Sequence, residues 1–474
     1  MARAKTGFPA ASIEQINNSQ LRANLKSATS AIREKRAKVV GEKQDWEELR
    51  RKGERIKNEV LASLDEYLLE LEESVTKVGG VVHWAADSSE ANRIILSLIQ
   101  EHGESEVIKV KSLTTDELHL NEYLANHGIS AVETDLAELI VQLAHDKPSH
   151  ILVPAIHKSR SEIKELFENT ISKGKVLGDG PAELAEASRL YLREKFLSAK
   201  VAVSGVNFAV AETGTVCIVE SEGNGRMCLT LPKVLISVMG IEKVLPKLDD
   251  LAVFLELLPR SSTGERMNPY TSTWTGVHTG DGPEEFHLVI LDNRRSHVLA
   301  DPVGRQALRC IRCSACLNVC PVYERSGGHA YGSVYPGPIG AILSPQLFAT
   351  EASLSLPWAS TLCGACYEVC PVRIDIPRVL VHLREKVISE GYKSKSEEVS
   401  FGVIALILRS GRRFELIQRV ATQIRRPLNR VLLTVSLPGA LGKWRAARQV
   451  PEIPDETFRM WWKRNRGGSA SGQR

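Results

Sequence analysis

Between residues 310 and 371 the chain carries two cysteine runs, Cys310-x2-Cys313-x2-Cys316-x3-Cys320-Pro321 and Cys363-x2-Cys366-x3-Cys370-Pro371, and no other feature restricts its fold as much. The first is the bacterial ferredoxin run, in which three closely spaced thiolates wrap one cluster and the fourth reaches a second one. Two-residue gaps curl the backbone round a cluster corner, while the longer gap and the proline turn Cys320 away. Under this exchange, Cys310, Cys313, Cys316 and Cys370 serve a first iron–sulfur cluster, and Cys320, Cys363 and Cys366 serve a second. The position three residues ahead of Cys363 is Ser360, so the second site is one thiolate short. It could hold a three-iron cluster, or a four-iron cluster capped by water, by Ser360 or by an outside ligand.

Seven of the nine cysteines fall in this 61-residue segment and the total is odd, which argues against a disulfide framework and for metal ligation in a reducing compartment. Structural zinc is the competing use of cysteine groups, but zinc modules pair C-x2-C units across longer spacers. Between the motifs, SGGHAYGSVYPGPIGAI (326–342) reads as an ordered, irregular loop whose His329, Tyr331 and Tyr335 pack it, shield a cluster or dock a partner.

At 474 residues the chain exceeds one core and reads as four regions. Residues 1–69 are N-terminal helices, with apolar positions recurring at three- and four-residue steps. Residues 70–295 alternate short β-rich runs with helical ones, VVHWAA (81–86) through HILVPA (150–155), followed by β-rich blocks at 201–221, 227–241 and 286–293. This βαβα order predicts an α/β domain with a mainly parallel sheet. Residues 296–385 form a ferredoxin-type α-helical domain, and 386–474 a basic helical C-terminal region with a flexible RGGSASGQR end.

Within the α/β region, Asn207, Glu212 and Arg226 flank glycine-rich turns, among them a tight turn at Gly223-Asn224-Gly225-Arg226, and could hold a ligand or merely satisfy backbone. Cys217 and Cys228 lie in apolar β-like runs and read as core. His157-Lys158 follows the expected strand HILVPA and so lies where α/β folds place ligands, although a surface loop is the plainer reading. Gly178-Asp179-Gly180 lacks the continuation of a dinucleotide fingerprint, so no flavin or nicotinamide site is read.

GVNFAVAETGT, ESEGNGR, TLPKVLISVMGIEKV and the two cysteine motifs, in this order, resemble the lactate utilization protein B family. The resemblance covers nearly the whole chain, including LPGALGKWRAARQVPEIPDETFRMWW near its end. It implies an α/β domain shared with a sister subunit and similar to the sugar-phosphate isomerase and CoA-transferase fold. It also implies a cytoplasmic complex that oxidises L-lactate to pyruvate, in which this chain is the electron-carrying subunit and the other subunits are its partners. Two other readings stay open: a self-contained hydroxy-acid-binding enzyme that uses the open iron, and an iron–sulfur redox sensor.

From Phe401 onward 15 Lys and Arg stand against 4 Asp and Glu, whereas the chain as a whole has a net charge of +4. Arg412, Arg413, Arg419, Arg425, Arg426 and Arg430 recur there on helical spacing, with Trp444, Trp461 and Trp462 adding amphipathic bulk. An acidic partner subunit suits this tail best, a merely solvated face next, peripheral contact with an anionic membrane less well, and nucleic acid least because no binding motif accompanies the charge. No apolar run reaches the roughly 20 residues that cross a bilayer.

Overall fold

The computed structural model describes residues 7–172, 174–280, 282–391, 395–434, 448 and 451–466. Two compact units divide after Val387. The first opens with helices Phe8–Asn17, Ser19–Gly41, Trp46–Ala62 and Leu64–Lys77. Each uses its apolar stripe for packing: Leu64, Leu68, Leu71 and Val75, at three- and four-residue steps, are the buried face of the fourth.

Ten strands follow: β1 (Val81–Ala85), β2 (Glu106–Lys109), β3 (Ser130–Glu133), β4 (Val201–Gly205), β5 (Phe208–Val210), β6 (Thr215–Glu220), β7 (Val234–Gly240), β8 (Val244–Leu245), β9 (Tyr270–Thr275) and β10 (Glu285–Leu291). Six make a wholly parallel sheet in the order β1-β10-β7-β4-β2-β3. Every residue of central β7 is buried, as expected where helices cover both faces of a parallel sheet. Asp87 and Asp135 start two of the covering helices by accepting the N–H groups of Glu90 and of Ala137 and Glu138.

Three features depart from the sequence reading. First, β8-β5-β6-β9 form a second, mostly antiparallel sheet. Second, HILVPA is not a strand. The His150 ring accepts the N–H groups of Leu152 (3.0 Å) and Val153 (3.1 Å), and Ser149 N–H donates to the Pro154 carbonyl, so the backbone closes into turns. His157-Lys158 therefore does not lie at the end of a sheet strand. Third, the β-rich run expected from 227 begins as helix Asn224–Thr230, with Gly223 as its left-handed N-cap (φ 82°) rather than as part of a tight turn. The Glu220 carboxylate accepts the N–H groups of Glu222, Gly223 and Arg226, which fixes that helix start.

Short helical pieces from Gly304 to Val369, and helix Ile376–Ser389 as far as Val387, complete the first unit. One hydrophobic cluster joins Leu21, Leu25 and Trp46 of the N-terminal helices, Phe208 and Leu245 of the second sheet, and the cysteine-bearing segment. Part of the expected irregular loop is helix, Gly337–Phe348. At Gly340 a Cβ would run into the carbonyl oxygen of Tyr335, so only glycine lets this helix fold back on the loop before it. Gly340→Ala is expected to cost about 1–3 kcal/mol, read as an earlier denaturant midpoint.

The second unit contains helices Lys395–Leu408, Gly411–Gln423, Arg425–Thr434 and Phe458–Arg466. Arg459 pairs with Glu415 and Arg425 with Asp455. The Phe458, Trp461 and Trp462 rings pack on one another with centroids 5.6–6.4 Å apart. Trp444 and residues 467–474, the end expected to be flexible, lie outside the described residues. Among the described residues no helix is long and apolar enough to cross a membrane.

Candidate iron–sulfur centres

Cys310, Cys313, Cys316 and Cys370 line one small cavity whose other walls include Ile311, Ala315, Ile339, Val372, Ile374 and Ile376. Cys320 does not line it. The last cysteine of the second motif thus joins the first three of the first, as the ferredoxin exchange requires. All nine cysteines are free thiols, and Cys313, Cys316 and Cys370 are buried. Burial raises the Cys313 pKa, with the charges of Cys310 and Cys370 as the next causes. Cys316 is raised in the same way by burial and then by Cys313 and Cys310. A metal core bearing positive charge removes this penalty by binding the thiolates directly.

The loop meets these demands through unusual backbone. Arg312 (φ 61°) and Ser314 (φ 56°) are both left-handed, a conformation that non-glycine residues hold only where the surroundings impose it. Alternating hand turns successive N–H groups towards one side. Arg312 N–H donates to Cys310 Sγ (3.4 Å), and Ile374 N–H to Cys370 Sγ (3.3 Å). The N-terminal helices hold the loop from outside: Arg50 donates to the carbonyls of Cys370 (3.0 Å) and Tyr367 (3.2 Å), and Arg36 to that of Val369 (3.1 Å).

Cys320, Cys363 and Cys366 form the second group. The Cys366 thiol is pushed up to about 12 by burial, then by Cys320 and Cys363. Burial also raises Cys320, whose Sγ accepts Tyr323 N–H (3.5 Å) at the start of helix Pro321–Ser326. Cys363 is exposed, and beside it Trp358, Leu362 and Tyr367 also face solvent. Ser360 Oγ accepts the Leu362 N–H at 3.1 Å. One group is therefore enclosed and the other has an open edge.

Between the first group and the parallel sheet lies a buried charge network that sequence reasoning missed. Arg312 pairs with Glu242 (3.1 Å) and stacks on Tyr335 (4.7 Å to the ring centroid). Glu242 also pairs with Arg295 (2.7 Å), which grips both oxygens of Glu117 (2.9 Å each). Tyr335 O–H and Asn293 donate to Glu117, and the Lys57 ammonium donates to the Glu242 carbonyl. Burial alone would raise Glu242, but Arg295 and Arg312 overcome it and hold the carboxyl at about 2. Glu242 and Arg295 lie just beyond the carboxyl ends of β7 and β10, where open α/β sheets bind ligands, so this network fills that crevice with protein. The members are scattered from 57 to 335, and no local pattern announces them.

The other expected residues play structural parts. Asn207 accepts Val219 N–H and Glu212 accepts Leu248 N–H. Arg226 is exposed on its helix. No described contact joins these three side chains to one another. Tyr331 and Tyr335 are buried in the loop, and His329 caps the Lys147 carbonyl. Cys217 and Cys228 are core, the latter on a helix. A further unexpected cluster, Lys109 with Glu133 (2.6 Å) and Lys111 with Glu138 (3.3 Å), follows the ends of β2 and β3. Burial pushes Glu138 up to about 8. Lysines inside the apolar run EVIKVK were the available signal for it.

Residues 68–291 match the LUD domain family and residues 306–374 the 4Fe-4S dicluster domain. The second match makes this an iron–sulfur segment and sets zinc aside. The chain is 42% identical over 453 residues to lactate utilization protein B of Exiguobacterium sp. (strain ATCC BAA-1283 / AT1b), covering 95% of each. It is 41% identical to the uncharacterized electron transport protein YkgF of Escherichia coli (strain K12), covering 98% of this chain and 97% of that one. Lactate utilization protein B 1 of Bacillus mycoides (strain KBAB4) is 40% identical, with 95% and 94% covered. A crystal structure of a DUF162 family protein from Deinococcus radiodurans, 12% identical, covers 48% of this chain and 98% of that one with a TM-score of 0.28, too loose a likeness to carry an argument.

Proposed function

We propose that this chain, which belongs to the lactate utilization protein B family, is the electron-carrying subunit of a cytoplasmic complex that oxidises L-lactate to pyruvate. The observation that carries the reading is the cavity shared by cysteines of both motifs. In this reading Cys310, Cys313, Cys316 and Cys370 hold one cluster, and Cys320, Cys363 and Cys366 hold another. When bound, such clusters supply reversible one-electron transfer, with potentials set by hydrogen bonds to sulfur, local charge and solvent exposure.

The chain's own residues divide the labour between the sites. Ile311, Ile339, Val372 and Ile374 exclude water from the enclosed one, and the N–H groups of Arg312 and Ile374 offset negative charge on its sulfurs. Arg312, buried beside Cys310 and kept charged, adds positive charge that favours the reduced state there, whereas burial lowers the neighbouring Lys57 and Lys243 to about 7 and about 8. The exposed edge at Cys363 gives a redox partner its approach. Lactate chemistry belongs to a sister subunit, in keeping with a sheet crevice filled by Glu117, Glu242 and Arg295.

The test is lactate-dependent bleaching of the cluster absorbance in anaerobically purified protein. Bleaching is expected only after the sister subunits are added. If the isolated chain reduces its own clusters with lactate, the carrier reading falls and the self-contained enzyme replaces it.

A further inference from the structure

The two cysteine motifs are one loop built twice, fifty positions apart in the chain. Cys313, Ala315, Cys316, Val319, Cys320 and Pro321 recur as Cys363, Ala365, Cys366, Val369, Cys370 and Pro371. The backbone repeats as well. Arg312 (φ 61°) corresponds to Leu362 (φ 56°), and Ser314 (φ 56°) to Gly364 (φ 87°), all left-handed. Leu317 N–H donates to the Ser314 carbonyl and Tyr367 N–H to that of Gly364, both at 2.9 Å. Cys320 N–H donates to the Leu317 carbonyl (3.1 Å) and Cys370 N–H to that of Tyr367 (3.2 Å).

At the head of each loop the correspondence reaches the side chains. Cys310 Sγ accepts the N–H of the residue two further on, Arg312, and Ser360 Oγ accepts the N–H of the residue two further on, Leu362. Cys310 held in this way lines the first cavity. Ser360 held in the same way therefore stands in the ligand position of the second loop, with oxygen in place of sulfur. Cys320, Cys363 and Cys366 alone leave a four-iron cluster one donor short.

We propose that Ser360 Oγ is the fourth protein ligand of the second cluster, which is accordingly a four-iron centre with mixed sulfur and oxygen ligation. This rests on the assignment of two clusters to the chain. Ligation exchanges the Ser360 O–H proton for an Fe–O bond, without any change in electron count. The proton leaves to solvent across the half-exposed rim formed by Ser360, Thr361 and Leu362. Oxygen is a harder donor than sulfur and favours the more oxidised iron, so the second site has a lower potential than it would with a fourth thiolate.

Iron and sulfide analysis with electron paramagnetic resonance on the anaerobically purified full chain tests this. The parent is expected to hold the iron of two four-iron clusters. After mild oxidation, Ser360→Ala is expected to lose one iron per chain and to gain the signal of a three-iron cluster. Ser360→Cys should keep all its iron and titrate at a higher potential, and Thr361→Val should match the parent. The proposal is overturned if the parent already contains a three-iron cluster, or if Ser360→Ala matches the parent in iron and spectrum. Loss of the whole second cluster in Ser360→Ala supports ligation when Ser360→Cys restores it and overturns it when Ser360→Cys does not. A parent chain without iron overturns both this proposal and the electron-carrier reading, whereas normal clusters with an indifferent Ser360 overturn only this proposal.

Discussion

Cys370→Ala is expected to abolish the enclosed cluster and spare the open one, although Cys370 is the neighbour in sequence of Cys363 and Cys366. About half of the iron and sulfide should be lost. The surviving paramagnetic signal should be the one that Cys320→Ala removes. The reason is spatial: Cys370 lines the cavity of Cys310, Cys313 and Cys316, and Cys320 does not. Stability should suffer more in Cys370→Ala than in Cys320→Ala, because the enclosed site is walled by buried apolar side chains whereas the other has the exposed Cys363 at its edge. Where metal binding and folding are linked, losing the metal loses folding free energy. A Cys370 variant that lost the Cys320-dependent signal instead would show that each motif serves its own cluster, and the ligand assignment would fail.

Arg295→Met should be the most damaging single change remote from the cysteines, at about 3–5 kcal/mol, since it leaves two buried carboxylates without their shared cation. Arg295 is 1% exposed and touches both Glu117 and Glu242. The pH dependence adds a second readout. Glu242 is held at about 2, below its unfolded value of about 4.3, so its contribution is complete above the unfolded value and is lost as pH falls through the folded one. Without Arg295 that carboxyl titrates higher, and acid unfolding should begin at a higher pH than in the parent. Denaturant midpoints measured from neutral pH downward would show both effects. An unchanged midpoint and an unchanged acid limb would mean that the network carries no net stability.

The legible parts of this protein are those whose signal is local. Ligand spacing encodes the cysteine loops, and alternating runs encode β1 to β3 and β10, because each needs only neighbouring residues to be recognised. HILVPA misled because a short apolar run is what a buried strand shows, while the His150 ring captures the Leu152 and Val153 N–H groups and the Ser149 N–H is spent on the Pro154 carbonyl. The run from 227 misled because the Glu220 carboxylate, upstream of it, starts a helix there. The charge network was illegible for a different reason: Lys57, Glu117, Glu242, Arg295 and Arg312 each look like ordinary surface residues until the fold gathers them. Spacing alone marks Ser360 as the counterpart of Cys310 and one of several possible caps of the second site; the N–H contact that the two share needed the backbone.

The crossing of Cys370 into the first site also has a consequence for biosynthesis. Cys310, Cys313 and Cys316 leave the ribosome about sixty residues ahead of the thiol that completes their set. With the ligands assigned as proposed, metal loading of the enclosed site waits until residue 370 has been made. A product cut short between the motifs would carry the four thiols of the first motif and no complete site, prey to oxidation and to the wrong metal. Arg36 and Arg50 are made early, and the carbonyls they clasp at Tyr367, Val369 and Cys370 are among the last of the first unit to appear. These clasps therefore close late in translation, in the same stretch of synthesis that supplies Cys370.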